Sequence, residues 1–352
     1  MQKVLPQSRP IARRAAFAAI TGALAGSAAA QSTPRATFRE RIKLTGAETA
    51  SIDRGEVVTK VLDPLDQQHG MLVFGAVYVN AELARFAPVC RDIPALAKER
   101  VYQAVQPFCR GGAPPKLSDF DRLELTRQDI DALRECSPGD CDLQILELTG
   151  ALGRVNWKSP DRYDQVNRIF RERLHRGMMS YMEGGLRALG SYRDRKAPLD
   201  LYEATRTMLA SSYYLPPQSG TSVYRHIVDY PQAKMPGAED IFYWEKIDFG
   251  MEPTIRINHL SLFPMGMGSV PFLAVNKQIY STRYIRAAVQ LFYCARDERD
   301  SNRPGFYLVE MNVSRLPDFG SLKLAVARRV ATGHAVASTR DALNMYRRRL
   351  MA

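Results

Sequence analysis

The sequence predicts an α+β protein in which an antiparallel sheet packs on a long C-terminal helix, with a large helical insertion between two β-rich ends. Three observations predict it. Between Tyr284 and Cys294, Ile285, Ala287, Val289, Leu291 and Tyr293 fall on one side of a strand, because side chains alternate faces with period two. Tyr307, Val309, Met311 and Val313 repeat that pattern, and the polar stretch from Arg296 to Pro304-Gly305 has the composition of a hairpin connection. From Asp318 onward, Phe319, Leu322, Val326 and Val330, then Leu343, Tyr346 and Leu350, recur at helical spacing. Such a helix spans roughly 50 Å, with Gly333 as the expected bend. It is expected to close over the apolar face of the strands.

Residues 1–30 read as a secretory signal peptide. Lys3, Arg9, Arg13 and Arg14 give a basic start, Ala15 to Leu24 an apolar run, and Ala28-Ala29-Ala30 before Gln31 a small-residue cleavage site. The run is too short and too rich in Ala and Gly to span a bilayer. Arg13-Arg14 only loosely resembles a twin-arginine signal, so the general secretory route is expected, with a periplasmic or secreted product. Residues 31–54 show no sustained periodicity and are expected to form a loose leader.

From Gly55 the pattern is regular. Glu56 to Leu62 and Met71 to Val79 alternate as two strands of a hairpin, and Asn80 is placed to cap a helix over Ala81 to Cys90. Ala95 to Val105 fits helix or strand. Gly111 to Pro115 is a loop, and Thr126 with Asp129 three residues on forms a capping box. After Ser159-Pro160, Tyr163, Val166, Ile169, Leu174, Met178, Tyr181, Leu186 and Leu189 make the clearest stripe of the middle region. Further helix is predicted over Asp200 to Tyr213 and Thr221 to Tyr230, separated by Pro216-Pro217. Residues 110–235 are therefore assigned to an insertion, and 55–109 with 236–352 to one α+β domain.

Strands return with Asp240 to Phe249, Thr254 to Phe263 and Val270 to Tyr280. Ile255 and Ile257 share one face of their strand, whereas Leu260 and Leu262 take the other. That phase change predicts a β-bulge at Asn258-His259.

The formal charge of +12 falls to +8 without the four basic residues of the signal. The surplus favours anionic surfaces such as lipid headgroups, and export argues against nucleic acid as a partner. Five cysteines remain. In an oxidising compartment Cys136 and Cys141, enclosing Ser-Pro-Gly-Asp, are expected to pair, as are Cys90 and Cys109, leaving Cys294 buried on a strand.

Catalytic motifs are lacking: there is no G-x-S-x-G, H-E-x-x-H or Walker loop, and Gly266-Met-Gly268 lacks the third glycine of a dinucleotide fingerprint. Asp297, Glu298, Asp300 and Asn302 lack the Gly and closing Glu of a calcium loop. No cofactor or metal is expected. The candidate binding residues are polar side chains within the C-terminal strands: His259, Lys277, Gln278, Tyr280, Tyr284, Glu310 and Asn312. Beneath a closing helix they would orient a ligand in an otherwise apolar cavity. Facing outward they would be the solvent side of a half-buried sheet.

The order of a β-hairpin, a short helix, an antiparallel meander and a long C-terminal helix resembles the helix-grip arrangement of the START-like lipid-transfer and polyketide-cyclase superfamily, over roughly 55–109 and 241–350. Pro236-Gly-Ala-Glu-Asp-Ile-Phe-Tyr-Trp-Glu-Lys246, Lys277-Gln-Ile-Tyr280 and Cys136-Ser-Pro-Gly-Asp-Cys141 resemble stretches in a group of exported bacterial proteins of unassigned function. The resemblance implies an exported, non-catalytic protein that carries a hydrophobic ligand, a lipid, between sheet and helix. Two other readings stand beside it. One is an enzyme using His259 with a carboxylate such as Glu310; the other is an envelope interaction protein using its basic surface and Arg347-Arg348-Arg349.

Overall fold

The structure is a computed structural model, and the residues it describes are 33–352 except 110–111, 138, 145–148, 211–219, 249–251, 266–269, 297–303 and 318–320. The signal segment, the Gly266 to Gly268 turn, the acidic stretch from Asp297 and Phe319 lie outside the described residues.

Two short capped helices open the described chain, α1 (Pro34–Glu40) and α2 (Gly46–Asp53). The Thr33 hydroxyl accepts the Ala36 N–H, and Thr45 with Glu48 forms a reciprocal capping box. The expected loose leader is thus ordered, with Phe38, Ile42, Leu44 and Ile52 buried in the core. Helices this short have no room for a stripe, so their caps carry the signal. A hairpin of β1 (Val58–Leu62) and β2 (Gly70–Val79) follows, then α3 (Phe86–Arg91). The ambiguous segment resolves into a 3₁₀ turn and β3 (Tyr102–Phe108).

The insertion holds α4 (Arg127–Glu135), which starts at the Thr126–Asp129 capping box, and the short α5 (Thr149–Leu152). The central helix α6 (Arg162–Leu189) buries Val166, Phe170, Leu174, Met178, Tyr181 and Leu186. It bends at Gly185 (φ 65°, ψ −156°), where a Cβ would lie 1.9 Å from the Tyr230 carbonyl oxygen, so only glycine fits. A two-stranded ribbon, β4 (Ser191–Tyr192) with β5 (Leu199–Asp200), leads to α7 (Leu201–Leu209) and α8 (Gly220–Asp229). The meander is β6 (Glu239–Ile247), β7 (Thr254–Pro264), β8 (Phe272–Ser281), β9 (Ala287–Ala295) and β10 (Phe306–Arg315). It ends in α9 (Ser321–Met351), 31 residues of continuous helix that run straight through Gly333.

The eight-stranded sheet has the order β1-β2-β10-β9-β8-β7-β6-β3, antiparallel at every junction. The N-terminal hairpin joins the C-terminal meander through β2 and β10, with Tyr307 opposite Tyr78. The fold is therefore the α+β class expected. Each face of the sheet has its own cover. Tyr307, Val309, Met311, Val289 and Leu291 pack in one core with α1, α2 and the insertion helices. Val77, Leu308, Phe292, Leu260 and Leu262 pack in the other, with Leu343, Met345 and Leu350 of α9. Gly75 of β2 lets α9 close in, since a Cβ there would meet Thr339 and Leu343 at 2.5 and 2.7 Å.

Three expectations are corrected here. The apolar face of β9 and β10 turns to the insertion side, not to α9. The phase change in β7 is no bulge: Ile255 and Ile257 feed one core and Leu260 and Leu262 the other, because the strand is buried on both faces. The register shift lies in β8, where Ile279 is the extra residue between Tyr280, opposite Ile257, and Gln278, opposite Asn258. Finally, Val326 and Val330 are exposed, at 65% and 48%. Thirteen residues of helix place Val330 about 140° around the axis from Leu343, so the two ends of the apparent stripe belong to different faces.

The Cys136–Cys141 disulfide is present, with its turn joined to the insertion by Gly139 N–H to Arg193 O (2.8 Å). Cys90 and Cys109 are not bonded to each other but are separate buried thiols, as is Cys294. Cys90 belongs to the core under α9 and Cys109 to the core on the insertion side, so the sheet stands between them. Among the described residues no helix is long and apolar enough to cross a membrane.

Candidate functional site

Between the sheet and α9 lies a cavity of about 590 Å³, with a smaller one of about 70 Å³ beside it; Arg256, Gln290, His334 and Ser338 line both. Leu260, Phe292, Ala342, Met345 and Tyr346 supply apolar wall, and Asn276 and Gln290 bring amides to the floor. The larger cavity carries four arginines and four carboxylates, so the opposing charges balance. Arg256 bonds Glu245 (2.7 Å), Arg348 bonds Glu99 (2.9 Å) and Arg349 bonds Asp92 (3.1 Å).

The floor's polarity follows from the strand register. Asn276 of β8, Gln290 of β9 and Asn312 of β10 are directly opposed neighbours on one face. Asn276 Nδ2 donates to Gln290 Oε1 (3.2 Å), and Gln290 Nε2 donates to Glu310 Oε1 (3.3 Å). Glu310 is fully buried, and burial raises its carboxyl well above the usual range against the lowering pull of Gln290 and Thr339. Glu310 Oε2 and Thr339 Oγ1 adjoin one another, yet neither makes a hydrogen bond of normal geometry.

The opposite face buries a second polar cluster, beneath α6 and α8. Asp240 Oδ1 accepts from His226 Nε2 (2.9 Å), His259 Nε2 (2.8 Å) and the Ser261 hydroxyl (2.8 Å). Tyr181 of α6 bonds His259 Nδ1 at 2.7 Å, and the Met235 N–H donates to His226 Nδ1 at 3.0 Å. Lys277 Nζ bonds the Ile227 carbonyl and lies 5.2 Å from the centre of the Tyr181 ring. Burial alone would raise the Asp240 carboxyl, but the hydrogen bonds from both histidines hold it well below the usual range. Burial also pushes His259 down to about 4 and Lys277 down to about 7, against the opposing pull of Asp240.

His226, Asp240 and His259 bring one ligating atom each within 4.8 Å, so the cluster has the composition of a metal centre. The hydrogen bonding argues otherwise. Met235 N–H occupies the Nδ1 lone pair of His226, which places that neutral ring's proton on Nε2 and directs it to Asp240. The cluster is a hydrogen-bond hub that clamps the insertion to the sheet.

The residues singled out from sequence divide between the two faces. His259, Lys277 and Tyr280 point into the insertion side, where the Tyr280 hydroxyl donates to Gln144 O (2.8 Å), so they do not contact a ligand under α9. Tyr284 and Asn312 line the smaller cavity. Gln278 and Glu310 are buried beside the floor without lining it, Gln278 opposite Asn258. His259 and Glu310 lie on opposite faces, which removes them as an acid/base pair. Sequence reading missed Asn276, Gln290 and Arg256. Each is polar within a strand, but only the register shows that they share a face. It also missed Asp240, Ser261, His226 and Tyr181, which come together from four separate elements or positions. Comparison with family models, curated proteins and solved structures finds no match.

Proposed function

We propose that this is an exported, non-catalytic protein that holds a hydrophobic small molecule, a lipid, between strands β6 to β10 and α9. The observation that carries this reading is the cavity of about 590 Å³. Small-molecule sites run to about 300–1,000 Å³, whereas a helix laid on a sheet ordinarily packs to interior density. Apolar walls with a few convergent amides are the make-up of such sites. The START-like resemblance supports the same reading through its long helix across an antiparallel sheet. The basic N-terminal segment and the Cys136–Cys141 bond support export.

Gently purified protein should release stoichiometric ligand on organic extraction, read by mass spectrometry, and the emptied protein should take up a fluorescent apolar probe. Ala342→Trp, which puts a large ring into the cavity, should abolish probe uptake in protein that stays folded. Clean extraction together with no probe uptake would overturn the reading.

A further inference from the structure

We infer that the cavity receives a head group that donates hydrogen bonds, an alcohol or an amine, in preference to a carboxylate. This rests on the ligand-binding reading above and specifies the polar end of the ligand.

Asn276 Nδ2 donates one hydrogen to Gln290 Oε1, and Gln290 Nε2 donates one to Glu310 Oε1. Gln278 Nε2 donates to Ile285 O at 3.0 Å, and Asn258 Nδ2 to Glu245 Oε1 at 2.9 Å. Three amide or carboxylate oxygens on this face, Asn276 Oδ1, Gln278 Oε1 and Glu245 Oε2, are buried without a hydrogen-bond partner. Of these residues Asn276 lines the cavity itself, with its surface about nine-tenths covered. A buried acceptor left unmade costs about 1–3 kcal/mol, which a donor on the ligand would recover.

A carboxylate would bring only more acceptors to the same place. Nor does the wall offer a surplus of positive charge to hold it, since arginines and carboxylates are equal in number and Arg256, Arg348 and Arg349 already have acidic partners. Burial, and after it the nearby Glu245 carboxylate, opposes ionisation of the Tyr102 and Tyr243 hydroxyls, so they add no charge to the wall. An apolar chain against Leu260, Phe292 and Met345, with its head at Asn276, satisfies both halves of the cavity.

The test uses the full chain carrying a fluorescent apolar probe, displaced at pH 8 by 1-dodecanol, dodecylamine or dodecanoate. The alcohol and the amine should displace at concentrations about tenfold below dodecanoate, as expected for one satisfied buried acceptor. Asn276→Leu should cost both about tenfold relative to dodecanoate measured on the same variant, and Asn276→Asp should keep amine binding and weaken dodecanoate further. Dodecanoate equal to or better than the alcohol, no displacement by any of the three, or an Asn276→Leu variant that binds like the parent would overturn the inference while the cavity still takes the probe. Failure of the probe itself to bind would instead remove the ligand-binding reading beneath it.

Discussion

Both faces of the central sheet bury polar side chains, and the cluster on Asp240 differs from the row under α9 in what answers its groups. On the insertion side His226, His259, Ser261 and Tyr181 converge on Asp240 or on one another, and Lys277 meets a carbonyl. On the α9 side the polar row leaves Asn276 Oδ1 without a partner beside a cavity. A satisfied polar cluster specifies how two parts of a chain dock, whereas an unsatisfied one next to space leaves a role for a molecule from outside. Polar residues in strands are therefore ambiguous until their partners are known.

That contrast can be broken most directly at its strongest point. Asp240→Ala strips the acceptor from three buried donors and should destabilise the protein by about 3–5 kcal/mol in denaturant unfolding. Asn276→Leu on the other face should cost only about 1 kcal/mol, because it removes one neutral hydrogen bond to Gln290 and an oxygen that has no partner. Equal costs would erase the distinction between the faces.

Acid and base sharpen it next. His259 titrates near 4 in the fold and 6.5 in an unperturbed ring, so between those values the unfolded chain binds the extra proton. Stability should fall by about 3 kcal/mol as pH drops from 6.5 to 4, and His259→Gln should flatten that slope. Lys277 is pushed down to about 7 from 10.5, so stability should rise with pH between 7 and 10.5. Lys277→Met should abolish that rise and, at pH 6, stabilise the protein by about 1–4 kcal/mol, as buried charges often do when replaced by apolar volume.

A smaller effect belongs to the insertion alone. Cys136→Ser opens a short loop and should cost about 2 kcal/mol. Thiol titration of the denatured, unreduced protein should find three reactive cysteines, Cys90, Cys109 and Cys294. A count of one would restore the Cys90–Cys109 bond and contradict their placement on opposite sides of the sheet. Ala342→Trp should leave the unfolding midpoint nearly unchanged while removing probe binding, which separates the hollow face from the clamped one.

What local chemistry sets was legible in the order of residues. Period-two alternation located β2 and β6 to β10, the 3.6-residue stripe located α6, and Thr126 with Asp129 marked the start of α4. Cys136 and Cys141 were legible because the turn that joins them is contained between them. Which face each strand gives to which partner was settled by long-range packing. With β7 buried on both sides, Ile257 and Leu260 read as a phase slip although the strand never slips. Val330 shared a spacing with Leu343 but not a face, because steps of four drift around a helix of 3.6 residues per turn. The floor of the cavity depended on register across β8, β9 and β10, and the hub on Asp240 depended on α6 and α8 docking from far along the chain. Side-chain alternation is a property of each strand alone, whereas pairing and docking are set by long-range burial, which no local pattern encodes.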